Sequence, residues 1–160
     1  MKTLAALLPI ALVLLSTFVA CEAETPRPSM GSAEITSASV SVQYVKLITD
    51  ESGETHFADL AVDLASTDFA PPASPLNISA FTPATQYGYM HLPKGWIGDW
   101  HPSPARQILF ILSGEGIVEA SDGERRGFRA GDILLLEDTT GKGHFSKAGP
   151  EGALIAVVQL

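Results

Sequence analysis

Short apolar segments separated by turn residues dominate the chain after residue 40, and they limit the folds that are open to it. The clearest lie at residues 40–48, 107–112, 133–136 and 153–160, with glycine, proline or aspartate residues between them. Apolar runs of this length are typical of strands, and the sequence between them gives no convincing amphipathic helix. We therefore predict an all-β fold, built as a closed or double-sheet barrel.

Local patterns add detail to this barrel. The Asp122-Gly123 pair predicts a hairpin turn. In the segment "TQYGYMHL" the strand period of two puts Tyr89 and His91 on the same face. The run at 107–112 is continuously apolar rather than alternating. Such a run indicates burial on both faces, in a sandwich interior or a dimer contact.

The first twenty residues have the pattern of a signal peptide, because Lys2 is followed by the uncharged, mostly apolar run Leu4–Ala20. An uncleaved membrane anchor is the alternative, since the run is at the short limit for spanning a bilayer. Cys21 follows "FVA", which resembles the lipobox of bacterial lipoproteins, although Phe18 stands where leucine is usual. We expect export to the periplasm or the extracellular space, either by simple secretion or as a lipoprotein tethered to the membrane through a lipidated Cys21.

The rest of the chain divides into two parts. Residues 22–39 are rich in serine, proline, alanine and glutamate and are predicted to be a flexible tether. Residues 40–160 suit one domain with one core, and no internal disulfide is available because Cys21 is the only cysteine. The formal net charge of −8 repels phosphate backbones, which excludes nucleic acid as an expected partner.

Glycines and polar residues lie at characteristic spacings around the apolar run at 107–112. Five residues separate Gly95 from His101, Ser103 follows that histidine by two positions, and six residues separate Gln107 from Gly114. This spacing resembles the first motif of the cupin superfamily, G-x5-H-x-H-x3-E-x6-G. Serine stands in place of the second histidine, and glutamine in place of the glutamate.

A second pattern starts at Gly131 and ends at His144. It resembles the second cupin motif, G-x5-P-x-G-x2-H, with a loop that is two residues longer and Glu137 in place of the proline. The resemblance implies a cupin-type jelly-roll barrel, also called a double-stranded β-helix. It identifies the chain as a small single-domain cupin with degenerate metal-binding motifs.

In cupins the two motifs hold a divalent metal, so the resemblance implies a metal site at His101, Gln107 and His144. We expect His144 to return from the opposite sheet and the two imidazoles to converge with Gln107 between them. Zinc, iron, manganese and nickel all suit imidazole ligands. Two histidines and an amide leave the charge of a dication uncompensated. The carboxylates that a folded-in loop could supply are those of Asp99, Glu137 and Asp138.

Substrate contacts are expected from residues around the predicted barrel mouth, namely Ser103, Trp100, Tyr89, His91 and Asp138. Trp96 and Trp100 flank the first motif histidine and suit an aromatic wall for a small ligand. Packing in the barrel end is the alternative for these indoles.

Three classes of function remain open. The first is an enzyme in which a metal acts as Lewis acid or oxygen activator on a small organic acid, sugar or phenolic compound. The second is a metal-free module that binds a small molecule, and the third is a scaffold without an accessible pocket. The apolar runs exceed what a small barrel must bury, so we also predict a homodimer made by sheet packing or strand exchange.

Overall fold

The computed structural model describes residues 40–160, which form eight strands and contain no helix. The strands are β1 (Val40–Thr49), β2 (Thr55–Thr67), β3 (Leu76–Ile78), β4 (Gln86–Leu92), β5 (Gln107–Ala120), β6 (Arg125–Arg129), β7 (Ile133–Glu137) and β8 (His144–Gln159). The predicted signal peptide at 1–20, Cys21 and the tether at 22–39 lie outside the described residues. No stretch of residues 40–160 forms a helix that is long and apolar enough to span a membrane.

Hydrogen bonds connect the strands in the order β3-β2-β1-β7-β5-β8-β4, and β6 pairs with β5 outside this path. All neighbours are antiparallel except β1 and β7, which run parallel. The hairpin predicted at Asp122-Gly123 is present and connects β5 to β6. Its glycine N–H donates to the carbonyl oxygen of Ala120 over 3.0 Å.

The long strands β5 and β8 pair with each other on both sides of a bend. Their register shifts between Ile111 and Ser113, and again between Gly114 and Gly116. Such irregularities bend a strand and increase its twist. The first half of β5 therefore pairs with β7 and the second half with β6, so that two layers face each other across one core. This arrangement confirms the predicted all-β, cupin-type jelly-roll barrel.

Gly114 allows the two long strands to approach at this bend. Its φ is +74°, in the left-handed region that favours glycine. A Cβ atom at this position would lie 2.0 Å from the carbonyl oxygen of Gly152. The bend thus depends on the glycine that closes the first motif.

The hydrophobic core fills the space between the two layers. Its members come from five strands, because alternate residues of each strand point inward. Leu47 of β1 is completely buried, and Leu134 of β7 is 1% exposed. The other buried members are Leu109, Ile111, Ala120, Phe128, Leu136, Ala153 and Ile155.

The outer face of the sheet made by β4, β8, β5 and β7 carries two uninterrupted rows of uncharged side chains. Cross-strand register defines them as Tyr89–Ala156–Phe110–Ile133 and Tyr87–Val158–Ile108–Leu135. Tyr87 and Tyr89 are 78% and 72% exposed. Leu112 is also exposed, so the run at 107–112 is not buried on both faces within one chain, and the dimer contact stays the open alternative for its outer face.

We expect this face to mediate the predicted homodimer, because a second copy offers the same uncharged surface about a twofold axis. Light scattering on the full chain at micromolar concentration should give twice the monomer mass. Tyr89→Glu should give the monomer, since it places a charge in one of the two rows. Phe81→Glu changes an equally exposed aromatic side chain elsewhere and should leave the dimer intact. A monomeric wild-type chain would contradict the prediction.

Candidate functional site

His101 and His144 are direct cross-strand partners. The N–H of His101 donates to the carbonyl oxygen of His144 over 3.1 Å, and the reverse hydrogen bond is 3.0 Å long. Side chains at opposed positions of antiparallel neighbours lie on the same face. The imidazole centroids are consequently 4.8 Å apart. The two rings converge as predicted, but His144 does not come from the opposite sheet, since it pairs directly with the segment that carries His101.

Gly143 makes this pairing possible. It has a φ of +69°, and a Cβ there would lie 2.1 Å from the carbonyl carbon of His101. No side chain fits in that space. The glycine therefore brings the loop before β8 close enough for the two histidine backbones to bond.

Both imidazoles are held through their Nδ1 atoms. Nδ1 of His101 lies 2.7 Å from the carbonyl oxygen of Asp99, and Nδ1 of His144 lies 2.7 Å from Oδ2 of Asp138. A carbonyl or carboxylate oxygen only accepts, so each Nδ1 carries the proton and donates it. In the neutral rings each Nε2 is then a hydrogen-bond acceptor.

Asp138 orients His144 from the inside of the structure. It is completely buried, and its Oδ1 accepts a 2.7 Å hydrogen bond from the Ser103 hydroxyl. The Ser103 N–H also donates to the Asp138 carbonyl oxygen over 2.9 Å. Both carboxylate oxygens are thus engaged with the protein. Asp138 was predicted to contact substrate, and the structure instead gives it the role of fixing the His144 ring.

The histidine pair lies at one side of a cavity of about 280 Å³ within the barrel. His144 is 5% exposed, whereas His101 is open to solvent, so the pair connects the cavity interior to its mouth. The polar residues on the wall are His101, Ser103, Gln107, His144, Ser146 and Lys147, the last of which projects from the outer face of β8 and borders the cavity at its edge. Most of the remaining wall is apolar and comes from the core, including Leu109, Ile111, Phe128, Leu134, Leu136, Ala153 and Ile155.

Gln107 lines the same cavity from the first position of β5. Its cross-strand partners are Leu136 and Gln159. The structure therefore brings His101, Gln107 and His144 to one cavity, and Ser103 lies on the wall beside them.

Three of the predicted substrate-binding residues are elsewhere. Tyr89 and His91 are exposed on the outer face of β4, and neither lines the cavity. Trp100 packs against Phe145 with ring centroids 6.2 Å apart and also stays outside the wall. The prediction for Tyr89 and His91 is corrected because strand alternation gives two faces without saying which one points inward, and Trp100 lies in the loop between β4 and β5. Trp96 does line the cavity, as one of the two predicted indoles.

The carboxylates considered as additional metal ligands do not face the cavity. Asp99 contributes its backbone carbonyl oxygen to His101, and Asp138 lies behind the His144 ring. Glu137 accepts from Nε of Arg106 over 2.6 Å and pairs with Lys46 over 3.1 Å. Burial raises the pKa of Glu137, but these two cations outweigh it and the pKa is lowered overall. Glu137 is therefore a paired surface carboxylate.

The donor set of the cavity differs from that of a resident metal site. It offers two imidazole Nε2 atoms and one amide group. None of these groups carries a charge when the imidazoles are neutral. Among residues 40–160 no three histidine, cysteine, aspartate or glutamate side chains are grouped to hold a metal ion. The set therefore falls short of the three histidines and one glutamate that the two cupin motifs contain.

Several wall residues were missed at the sequence level. Met90 and Leu92 lie on the inward face of β4, opposite the face of Tyr89. Ser146 follows His144 by two positions in β8, so the strand period already placed both on one face. The apolar character of Met90 and Leu92 was the available signal for the inward face of β4.

Comparison with known proteins gives limited similarity. No protein-family model matches the sequence, and no curated protein matches it significantly. A cupin 2 conserved barrel domain protein from Salinispora arenicola has a TM-score of 0.38 and 18% identity, over 61% of this chain and 73% of its own. The cumin domain of CENP-C from Drosophila melanogaster has a TM-score of 0.38 and 16% identity, over 86% of this chain and 87% of its own. The assignment of a cupin-type fold rests on the strand topology described above.

The Gly143 contact gives a testable prediction. Gly143→Ala should separate the two histidine backbones, because the added methyl group overlaps the carbonyl of His101. Cross-strand nuclear Overhauser effects between residues 101 and 144 should disappear, and the melting temperature should fall. Gly123→Ala is the matched control, since its φ of +93° imposes similar backbone strain with no atom near the added Cβ. It should cost only about 1 kcal/mol and keep those effects. Equal behaviour of the two variants would contradict the account.

Proposed function

We propose that this domain binds a small, mostly apolar molecule that donates one hydrogen bond to the histidine pair. The observation that carries the proposal is the apolar barrel cavity with its Nε2 acceptors at one side. Its volume lies near the lower end of the range for small-molecule sites. An accessible cavity also counts against the scaffold interpretation.

The protonation of the rings selects the polar group of the ligand. With Nδ1 protonated, each neutral imidazole presents a lone pair to the cavity, which suits an O–H or N–H donor and repels a carboxylate. A sugar carries more hydroxyl groups than the few polar wall residues can satisfy. Among the substrate classes considered from the sequence, a phenolic compound fits best.

Three ligands of the same shape test this preference, namely 4-methylphenol, 4-methylanisole and 4-methylbenzoate. In an NMR titration of the full chain, the phenol should bind about tenfold more tightly than the anisole, because one hydrogen bond contributes about 1 to 1.5 kcal/mol. The benzoate should bind most weakly. Equal affinity for the phenol and the anisole, or no saturable binding of the phenol, would contradict the proposal.

Variants locate the binding. The double variant His101→Ala with His144→Leu removes both Nε2 acceptors and should abolish the preference for the phenol over the anisole. His91→Ala is the control, since it removes an exposed histidine from the outer face of β4 and should leave the preference unchanged. Loss of the preference in His91→Ala would show that it arises outside the cavity.

A divalent metal at the same residues is the second candidate function. The observation that favours it is the Nδ1 hydrogen bonding, because metal-ligating histidines usually donate their other ring N–H to a carbonyl or carboxylate oxygen. His101, His144 and Gln107 would hold such an ion, whether zinc, iron, manganese or nickel. A bound ion of this kind supplies Lewis acidity or oxygen activation.

Metal analysis separates the two candidates. Untagged full-length protein purified without added metal should contain these metals only far below one equivalent, because the donor set lacks an anionic ligand. One equivalent that is retained through dialysis, and lost in His144→Gln but not in His91→Ala, would favour the metal site over the metal-free pocket.

A further inference from the structure

A groove on the outside of the barrel contains the two cations that lack carboxylate partners in the described part of the chain. Residues 40–160 contain eight lysines and arginines, of which six lie within 4 Å of a carboxylate oxygen. The remaining two are Arg129 and Lys147, and both line the same groove. In a chain with a formal net charge of −8, two cations that are unpaired within residues 40–160 and share one concave surface indicate a site for an anion.

The register of three strands puts these cations on one face. Arg129 of β6 lies opposite Glu115 of β5, and Lys147 of β8 lies opposite Ile117 of β5. Positions 115 and 117 share a face by the strand period of two. The Cα atoms of Arg129 and Lys147 are thus two strand spacings apart across the sheet and two residues apart along it, which is about 12 Å in all. The side chains of Arg129 and Lys147 are long enough to contact one small ligand bound between them.

The two carboxylates of the groove, Glu115 and Asp132, form no ion pair with Arg129 or Lys147 among the contacts of residues 40–160. Oδ2 of Asp132 accepts the backbone N–H of Arg129 over 2.8 Å, which fixes this carboxylate in the turn. Glu115 lies over β8, because a Cβ built on Gly149 would be 2.5 Å from its Cγ and 3.0 Å from its Oε1. Arg129 is on the other side of β5. Glu115 therefore leans away from its cross-strand partner, and no ion pair joins them among the contacts of residues 40–160.

The floor between the cations is open and apolar. Ile117 is 37% exposed, and its cross-strand neighbour Gly127 has no atom within 4 Å of an added Cβ. An anion seated here is approached by a guanidinium from one side and an ammonium from the other. A phosphate monoester matches this arrangement, because it carries nearly two negative charges and three acceptor oxygens.

We propose that this outer groove binds a phosphate monoester group between Arg129 and Lys147. The site is separate from the histidine pair, although Lys147, Ile117, Gly116 and Phe128 border both the groove and the barrel cavity. The proposal does not depend on the function proposed for the cavity, since it uses neither histidine.

Calorimetric titration of the full chain with inorganic phosphate tests the site. The wild type should bind one equivalent, and Arg129→Gln and Lys147→Gln should each weaken binding by about tenfold. Arg125→Gln is the matched control, since Arg125 lies on the same face of β6 and is 68% exposed but is paired with Glu119. It should bind phosphate like the wild type. No saturable binding by the wild type, or an equal loss in Arg125→Gln, would overturn the proposal.

A second experiment identifies the source of the phosphate group. Vesicles of phosphatidylcholine with phosphatidic acid present the same group on a lipid surface. Flotation that depends on Arg129 and Lys147 supports a lipid headgroup as the source, and phosphate binding without flotation supports a soluble phosphate ester. Flotation that is unchanged in Arg129→Gln and Lys147→Gln, together with no binding of free phosphate, would overturn the proposal.

Discussion

The reciprocal backbone hydrogen bonds between His101 and His144 are the interaction on which the candidate site depends. They fix two imidazoles on one face of the barrel and set the separation of the rings. Gly143 permits them because its lack of a side chain lets the two chain segments meet. The placement of both imidazoles on the cavity wall follows from this contact, and Ser103 lies on the same wall two residues after His101.

Groups outside the cavity determine which nitrogen of each imidazole is protonated. Asp138 is completely buried, and its carboxylate accepts hydrogen bonds from His144 and Ser103. The Asp99 carbonyl oxygen performs the same function for His101. Within residues 40–160, the carboxylate lies behind the ring and the cavity wall contains no negatively charged side chain. Such a wall suits the proposed hydrogen-bonding pocket better than the neutralisation of a dication.

The all-β barrel could be predicted from the sequence, because its short apolar runs and the turn glycines between them are typical of strands. Gly95, Gly114 and the Asp122-Gly123 turn gave the correct spacing for the first motif and the hairpin. It was insufficient for the inward face of β4, because alternation assigned Tyr89 and His91 to one face without saying which face meets the core. The spacing of residues along the chain also does not predict which residues pair across neighbouring strands. For that reason the pairing of His101 with His144 and the role of Asp138 became visible only in three dimensions.

The tautomers of His101 and His144 test the central claim most directly, because the proposed recognition depends on Nε2 being the acceptor in both rings. Long-range ¹⁵N–¹H correlation spectra of the histidine-labelled full chain report the protonated nitrogen of each neutral ring, and Asp138→Asn assigns the signals of His144. The account predicts that both rings carry the proton on Nδ1. A spectrum in which either ring carries it on Nε2 would contradict the account, since that atom would then donate into the cavity.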